Sequence, residues 1–312
     1  MKALITGVNG FVGRHLEEYL VSQQIEVWGT SRSVNHEKNH INRVQLDFNQ
    51  EEAIVQLLNT IKPDLIFHLA AQSSVAKSWT QVSRTLDANV TKTALFYDAI
   101  KQSDISDTVK ILSVGSSEEY GIVSKENIPI SETAPLNPTN PYGISKVTQH
   151  MLAKLYSSLG LHIVHVRPFN HIGPGQKQGF VTSDFARQIA LIESQKLPPV
   201  ITVGNLEAQR DFTDVRDIVR AYAEVIQKGR AGEVYNICSG KSHPIRYILD
   251  YLLTLSTNKS IDVQQDINKM RPSEFPIYIG DSTKINNLIG WDTEYLIEES
   301  LVDILTYWRS IL

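Results

Sequence analysis

The chain has 312 residues, of which 42% are hydrophobic and 21% charged, an ordinary composition for a folded globular protein. A net charge of -4 gives no basic signature for nucleic acid or anionic membrane, and no apolar run approaches a membrane span, so we predict neither partner. The single cysteine, Cys238, excludes an internal disulfide and a thiolate metal cluster, and we predict no metal site. The N-terminus carries no signal-peptide pattern, so we expect a cytoplasmic location.

The first half of the chain alternates short apolar or β-branched runs with amphipathic stretches. This alternation predicts a parallel sheet with helices on both faces. The predicted strands are Lys2–Thr6, Glu26–Ser31, Asp64–Ala70 and Val109–Val114, and the predicted helices are Phe11–Gln24 and Thr80–Gln102.

After about residue 170 the pattern loosens, with glycine and proline clustered at 172–176, 198–199 and 271–276. We therefore expect a smaller lobe whose segments interleave with the first half. Its predicted helices are Val181–Glu193, Asp214–Lys228, Pro244–Leu255 and Glu298–Trp308.

A glycine-rich segment follows the first predicted strand and opens a helix, with Gly7, Gly10 and Gly13 three residues apart. Glycine at these places permits a tight turn, close approach to a pyrophosphate and close helix packing, and the helix N-terminus attracts phosphate. The G-x-x-G-x-x-G spacing resembles the short-chain dehydrogenase/reductase superfamily. The predicted dinucleotide contacts here are Gly7, Asn9, Gly10, Phe11, Val12 and Gly13.

The end of the second strand indicates which dinucleotide is used. An NAD enzyme usually places a carboxylate here to bind the ribose 2′-hydroxyl, but this chain has Thr30, Ser31 and Arg32. The Arg32 guanidinium suits a 2′-phosphate, and the less favoured interpretation is a solvated loop residue. We therefore favour NADP(H) as the cofactor, with NAD(H) as the alternative.

Two further segments resemble cofactor contacts of the superfamily. Asp47 stands where the superfamily places an acid against the adenine, and His68–Gln72 resembles the strand end that lines the far ribose and phosphates. The resemblance implies contacts from Asp47, Phe48, Leu69, Ala70 and Ala71.

Tyr142 and Lys146 are four residues apart, so on a helix the phenol and the ammonium share a face. The nearby cation is expected to lower the tyrosine pKa toward the working range, which makes Tyr142 a proton donor to a carbonyl oxygen. Lys146 is also expected to reach the nicotinamide ribose. In the extended family a polarising Ser or Thr lies four residues before a Tyr-Gly dipeptide, which here is Tyr120-Gly121. This spacing selects Ser116, with Ser113 and Ser117 as close alternatives.

Glu118 lies two residues beyond Ser116. In the related GDP-mannose 4,6-dehydratases, a glutamate at the matching place removes the proton beside the 4-keto group. The resemblance thus leaves two interpretations open: Glu118 is a catalytic base, or it is a carboxylate that orients substrate.

The second lobe carries residues that resemble the sugar-nucleotide contacts of the extended family. Asn170 could donate to a diphosphate or a sugar hydroxyl, and Val181 would place backbone groups near the phosphates. Arg210 and Arg271 match the arginines that clamp the diphosphate, although a surface salt bridge is the ordinary role of a single arginine. Glu274 would suit a donor on the ribose or base.

The resemblance covers nearly the whole chain and is strongest to the GDP-6-deoxy-4-keto-mannose reductases, which form GDP-D-rhamnose. It implies a Rossmann-type doubly wound α/β sheet with a smaller, interleaved C-terminal substrate-binding lobe. Residues 1–170 would bind NADP, with segments around 210–240 returning to that domain, and residues 171–312 would mainly bind substrate. The segments that carry the resemblance are SSEEYG, NPYGISK, RPFNHIGPGQ, VGNLEAQRDFTDVRDIVRAY, EVYNICSG and MRPSEFP.

The implied activity is NAD(P)H-dependent reduction of the 4-keto group of GDP-4-keto-6-deoxy-D-mannose, with Tyr142 as proton donor. The alternatives are a GDP-mannose 4,6-dehydratase, with Glu118 as base and NADP recycled in place, and a non-catalytic NADP-binding protein on the same fold. We also expect a homodimer through the helices near 80–102 and 142–160. Apolar residues at helical spacing in the first of these are Leu86, Val90, Ala94 and Tyr97.

Overall fold

The computed structural model describes residues 1–31, 41–269 and 276–312. Arg32, Arg271 and Glu274 lie outside these residues. The strands are β1 (Lys2–Thr6), β2 (Glu26–Ser31), β3 (Asn42–Gln45), β4 (Leu65–His68), β5 (Lys110–Val114), β6 (His162–Pro168), β7 (Asn170–Ile172), β8 (Val200–Val203), β9 (Gln209–Asp214), β10 (Val234–Ile237), β11 (Ser242–Pro244), β12 (Asp262–Gln265) and β13 (Ile277–Tyr278).

The α-helices are α1 (Phe11–Ser22), α2 (Glu51–Ile61), α3 (Val75–Thr80), α4 (Val82–Leu86), α5 (Lys92–Gln102), α6 (Pro141–Ser158), α7 (Val181–Glu193), α8 (Val215–Lys228), α9 (Ile245–Leu255), α10 (Thr283–Ile289) and α11 (Ile297–Ile311). Among the helices described, none is both long enough and apolar enough to cross a membrane.

Within the described ranges, seven strands form a sheet in the order β10-β6-β5-β4-β1-β2-β3, and every neighbouring pair is parallel. Parallel pairing requires crossover connections, and in the described ranges several of these contain helices that cover the sheet. The sheet and its flanking helices confirm the predicted doubly wound α/β fold.

The two faces of this sheet bury alternate residues of the same strands. Ala3 and Ile5 of β1 join the cluster under α1 and α8, whereas Leu4 joins the cluster under α2, α5 and α6. All three side chains are fully buried, and full burial of a leucine or isoleucine contributes roughly 1.5 to 3 kcal/mol. Burial on both faces explains why these strands read as continuous apolar runs.

The chain beyond β6 contributes to both parts of the molecule. β10 pairs with β6 in the large sheet, and α8 packs on its face through Val219 and Tyr222. In the second lobe, α7, α9 and α11 share an apolar cluster beside strand β9, which pairs with β7, β11 and β13. The domain boundary at residue 170 stays a prediction.

The predicted helix Thr80–Gln102 is interrupted in the structure. Helices α4 and α5 are separated by a π-helical turn at Asp87–Thr91. The buried Asn89 within this turn binds the backbone of Gln72 through both its amide atoms and also donates to the Ser145 hydroxyl at 2.9 Å. These tertiary contacts favour the wider turn over a regular helix.

Candidate active site

The predicted cofactor and catalytic segments follow strands that end at one edge of the large sheet. The glycine loop follows β1, Asp47 follows β3, Ala70 follows β4 and Ser116 follows β5. Because all of these strands are parallel, their carboxyl ends lie on the same side. Ligands of doubly wound sheets bind in the crevice along this edge.

The glycine loop has the geometry of a phosphate-binding loop. Gly7 has a φ of 73°, and a Cβ there would lie 3.1 Å from the Ala70 backbone. A Cβ on Gly13 would lie 2.6 Å from the Val8 carbonyl oxygen, so only glycine lets α1 approach the loop this closely. Gly10 is the N-cap of α1 and makes no side-chain cap, which leaves the first N–H groups available to an anion. These residues fit a dinucleotide pyrophosphate.

The other predicted loop residues are held by contacts that the sequence did not indicate. The Asn9 carboxamide oxygen accepts a hydrogen bond from Arg43 at 2.5 Å, and Arg43 also forms a 2.7 Å ion pair with Glu17. The Phe11 ring stacks on His171 with a centroid separation of 6.0 Å, which joins the glycine loop to the second lobe. Val12 packs against the main apolar cluster.

The remaining predicted cofactor residues lie at the same edge. Asp47 is exposed and accepts hydrogen bonds from Asn49, while Phe48 packs edge-on against Phe96 at 5.3 Å. Along the segment after β4, Leu69 and Ala70 are half-buried and Ala71 is exposed. The Ala70 N–H donates to the Thr6 hydroxyl instead of extending the strand, which is why β4 ends earlier than predicted.

Tyr142 and Lys146 occupy the first turns of α6. The helix begins at Pro141, and its N-cap Asn140 accepts a hydrogen bond from the Gly143 N–H at 2.8 Å. The Lys146 ammonium lies 5.8 Å from the centroid of the Tyr142 ring. Both side chains are buried, as expected for residues that line a closed site.

The pKa of Tyr142 is raised in the structure, which contradicts the lowering expected from Lys146. Burial is the main cause, a hydrogen bond from Ser116 opposes it, and the charges of Glu118 and Glu119 add to it. Tyr142 is therefore held in its protonated form, the form that can donate a proton.

Burial raises the pKa of Tyr142 but lowers the pKa of Lys146, because it disfavours the charged ammonium. The pKa of Lys146 is lowered to about 8 by desolvation, and the negative charge of Glu119 partly offsets this. Lys146 therefore remains largely cationic at neutral pH.

The structure distinguishes among the three serines that the sequence offered as candidates for the polarising hydroxyl. Ser116 caps the 3₁₀ turn Ser117–Glu119, accepts from the Glu118 N–H at 3.2 Å and hydrogen-bonds Tyr142. Ser113 is fully buried beneath the site, where its hydroxyl pairs with His165 at 3.1 Å. The Ser117 carbonyl accepts from Tyr278 at 2.8 Å. This geometry supports Ser116 as the polarising hydroxyl.

Glu118 lies half-buried beside Ser116 and is tied to the catalytic helix. Its Oε2 accepts a hydrogen bond from the Asn140 amide at 2.7 Å. Asn140 thereby links the turn after β5 to the N-terminus of α6. The contact fits a carboxylate that orients substrate. Because it uses only Oε2, the role of a base through Oε1 of Glu118 stays open.

A buried ionic cluster behind the turn was missed by the sequence analysis. Glu119 is fully buried and pairs with His165 at 2.9 Å and with the Nε of Arg167 at 2.7 Å. Burial by itself would raise the pKa of Glu119, but the hydrogen bond from His165 and the charge and hydrogen bond of Arg167 hold it below its usual value. Arg167 also donates to the Tyr120 hydroxyl at 3.0 Å.

The predicted substrate residues that the structure describes lie on elements of the second lobe. Asn170 is exposed at the start of β7, and Val181 begins α7. Arg210 lies on β9 in register with Tyr278 of β13. Tyr278, which the sequence analysis missed, links Arg210 to the catalytic turn through its bond to the Ser117 carbonyl.

Comparisons with known proteins agree with this fold and site. A family model described as GDP-mannose 4,6 dehydratase matches residues 4–304. The GDP-6-deoxy-D-mannose reductase of Pseudomonas aeruginosa is 33% identical, with 99% of this chain and 97% of that protein covered. The GDP-mannose 4,6-dehydratase of Vibrio cholerae is 27% identical, with 97% of this chain and 92% of that protein covered.

Among solved structures, RMD from Pseudomonas aeruginosa complexed with NADPH has a TM-score of 0.86 and 31% identity, covering 100% of this chain and 99% of that one. The UDP-glucose 4-epimerase of Thermus thermophilus, at 22% identity and a TM-score of 0.87, covers 100% of both chains and supports the fold alone. These relatives are enzymes of nucleotide-linked sugars, and the prediction of an enzyme is confirmed. The chain belongs to the GDP-mannose 4,6 dehydratase family.

Proposed function

We propose that this protein reduces the 4-keto group of GDP-4-keto-6-deoxy-D-mannose to give GDP-D-rhamnose, with NADPH as the reductant. The observation that carries the proposal is the placement of Tyr142 at the carboxyl edge of the sheet, 5.8 Å from the Lys146 ammonium and hydrogen-bonded to Ser116. Reduction of a ketone consumes a proton at the oxygen, so it starts from a tyrosine that still holds its proton.

The chain's own groups perform the acid half of the reaction. Tyr142 donates its proton to O4 of the sugar, and the Ser116 hydroxyl donates a hydrogen bond to the same oxygen, which stabilises the negative charge that develops there. The Lys146 ammonium stabilises the tyrosinate that remains. When bound, NADPH supplies the hydride that forms the new C4–H bond.

The glycine loop, the N-terminus of α1 and the strand ends after β3 and β4 would hold the dinucleotide. NADPH is favoured over NADH because β2 ends at Ser31 without a carboxylate, and Arg32 follows it. The relative RMD was solved with NADPH, which supports the same choice.

The GDP-sugar would lie between this edge and the second lobe. Arg210 places a cation on β9 beside Tyr278, and Asn170 is exposed on neighbouring β7, so the two residues offer donors to a diphosphate. Arg271 and Glu274 are proposed contacts from sequence resemblance alone. The names of the curated relatives support a GDP-linked substrate.

A GDP-mannose 4,6-dehydratase is the second candidate, favoured by Glu118 beside Ser116 and by the matching family model. The comparison with relatives supports the reductase, because the Pseudomonas aeruginosa reductase is 33% identical and the Vibrio cholerae dehydratase 27% identical.

Two incubations separate the candidates. With GDP-4-keto-6-deoxy-D-mannose and NADPH, a reductase should lose nicotinamide absorbance in a one-to-one ratio with product. With GDP-mannose and no added reductant, it should form no product. A 4-keto sugar from the second mixture, without NADPH loss in the first, would replace the reductase by the dehydratase.

We also propose a homodimer, formed through α6 and the segment containing α3 and α4. Ile144, Met151 and Leu155 lie on one side of α6, seven and four residues apart, and are 47%, 62% and 51% exposed. Trp79 and Val82 are exposed apolar side chains on α3 and α4, which also contact α6. Tyr97 is fully buried against Tyr156, so it is a core residue of the subunit.

A further inference from the structure

The catalytic lysine is held by an amide that the proposed reaction does not use. The Lys146 ammonium donates to the Val114 carbonyl at 2.7 Å and to the Gln149 side-chain oxygen at 2.8 Å. An ammonium has three N–H donors, so these two acceptors leave one N–H to point at a bound ligand. Gln149 is 1% exposed, and both polar atoms of its amide face protein groups.

The orientation of the Gln149 amide is fixed by chemistry. Lysine can only donate, so the amide oxygen must face it, and the amide nitrogen then faces the Ser113 hydroxyl at 3.4 Å. Ser113 pairs at 3.1 Å with Nδ1 of His165, whose Nε2 lies 2.9 Å from the Glu119 carboxylate.

Each hydrogen bond in this chain of contacts donates in the same direction, toward Glu119. The carboxylate only accepts, so Nε2 of His165 carries the proton and Nδ1 accepts from the Ser113 hydroxyl, whose lone pair accepts from Gln149. Burial lowers the pKa of His165, in agreement with a neutral ring. The hydrogen bonds therefore run in one direction from the Lys146 ammonium to the Glu119 carboxylate, and each strengthens the next.

We propose that Gln149 is a positioning residue that aims the Lys146 ammonium at the nicotinamide ribose and couples it to the buried Glu119 charge. The kcat and pH-profile measurements rest on the proposed function, because they need the sugar substrate. The measurement of NADPH binding does not, because the contact with the cofactor ribose is the same for any sugar. The titratable groups that face Lys146 are Tyr142 on α6, His68 on β4, His165 on β6 and Glu119 on the turn after β5.

The test compares Gln149→Leu, which removes the acceptor, with Gln149→Glu, which keeps it and adds a negative charge. A hydrogen bond to a charged group predicts that Gln149→Leu weakens NADPH binding by about tenfold and lowers kcat by about tenfold. The KM for the sugar should not change. The alkaline limb of the pH profile should move to lower pH, since the ammonium has lost an acceptor.

Gln149→Glu should retain NADPH affinity and move the alkaline limb to higher pH, because an adjacent carboxylate favours the ammonium. Gln188→Leu is the matched control, since Gln188 bridges a helix to Thr202 on β8 in the second lobe and should leave both readouts unchanged. If Gln149→Leu does not fold, the upward shift in Gln149→Glu decides the question alone.

Different results would contradict the proposed function and the proposed role of Gln149. An inactive wild-type protein whose Gln149→Leu variant still loses NADPH affinity would overturn the proposed substrate and leave the role of Gln149 standing. An active wild-type protein whose folded Gln149 variants match it in NADPH dissociation constant and in pH profile would overturn the role of Gln149.

Discussion

Glu119→Gln tests the buried cluster that supports the catalytic turn. The substitution keeps the side chain's shape but removes the counter-charge of Arg167, which is 1% exposed. Breaking a buried ion pair by removing one partner costs about 3 to 5 kcal/mol, and we expect a loss of that size.

The sign of the pH dependence follows from the lowered pKa. Glu119 contributes its full stabilisation above its unfolded pKa of 4.5 and loses it as the pH falls toward about 2. Protonation of Glu119 by itself should therefore shrink the difference in unfolding free energy between wild type and Glu119→Gln below about pH 5. Histidines away from Glu119 are present in both proteins and cancel. His150 and His165 lie against Glu119, whose charge favours their protonated forms, so their titration opposes this shrinkage.

The assay is denaturant unfolding followed by fluorescence at a series of pH values. Glu224→Gln is the matched control, because Glu224 forms an exposed pair with Lys228 one turn away on α8 and should cost less than about 1 kcal/mol. A Glu119→Gln loss as small as the control's would refute the ionic role assigned to Glu119.

Three further variants probe the site and the subunit contact. Glu118→Gln should keep turnover of the 4-keto sugar within about tenfold of wild type, since the residue has no proton to move in reduction; complete loss would show that reduction requires the Glu118 carboxylate. Arg210→Ala should raise the KM for the GDP-sugar by about tenfold or more with little change in kcat, and an unchanged KM would remove Arg210 from the substrate site. Leu155→Arg should convert dimer to monomer by light scattering, and a persistent dimer would place the interface elsewhere.

The sequence predicted those parts of the fold that depend on local chemistry. The glycine loop, the alternation of strands and helices, and the Tyr142–Lys146 spacing are each set by residues close together in the chain. Their positions in the structure match because turn geometry and side-chain periodicity act over a few residues. The helices predicted at 214–228 and 244–255 each begin one residue later, at Val215 and Ile245, because Asp214 and Pro244 are their N-caps.

The missed features depend on partners far apart in sequence. Glu119 looks like a second surface acid beside Glu118 until His165 and Arg167 arrive from β6 to bury it. The direction of the Tyr142 pKa was wrong for a similar reason. The spacing to Lys146 was visible in the sequence, but the extent of burial, which dominates, is set by the whole fold.

The most direct test of the central claim is transfer of deuterium from NADPH labelled at C4 of the nicotinamide. The wild-type protein should place the label at C4 of the product sugar, with one label for each NADPH oxidised, and Tyr142→Phe should abolish the transfer while still binding NADPH. A dehydratase moves hydrogen within a single sugar, so added label would not enter its product. GDP-4-keto-6-deoxy-D-mannose recovered unlabelled and unreduced, with labelled NADPH intact, would contradict the account.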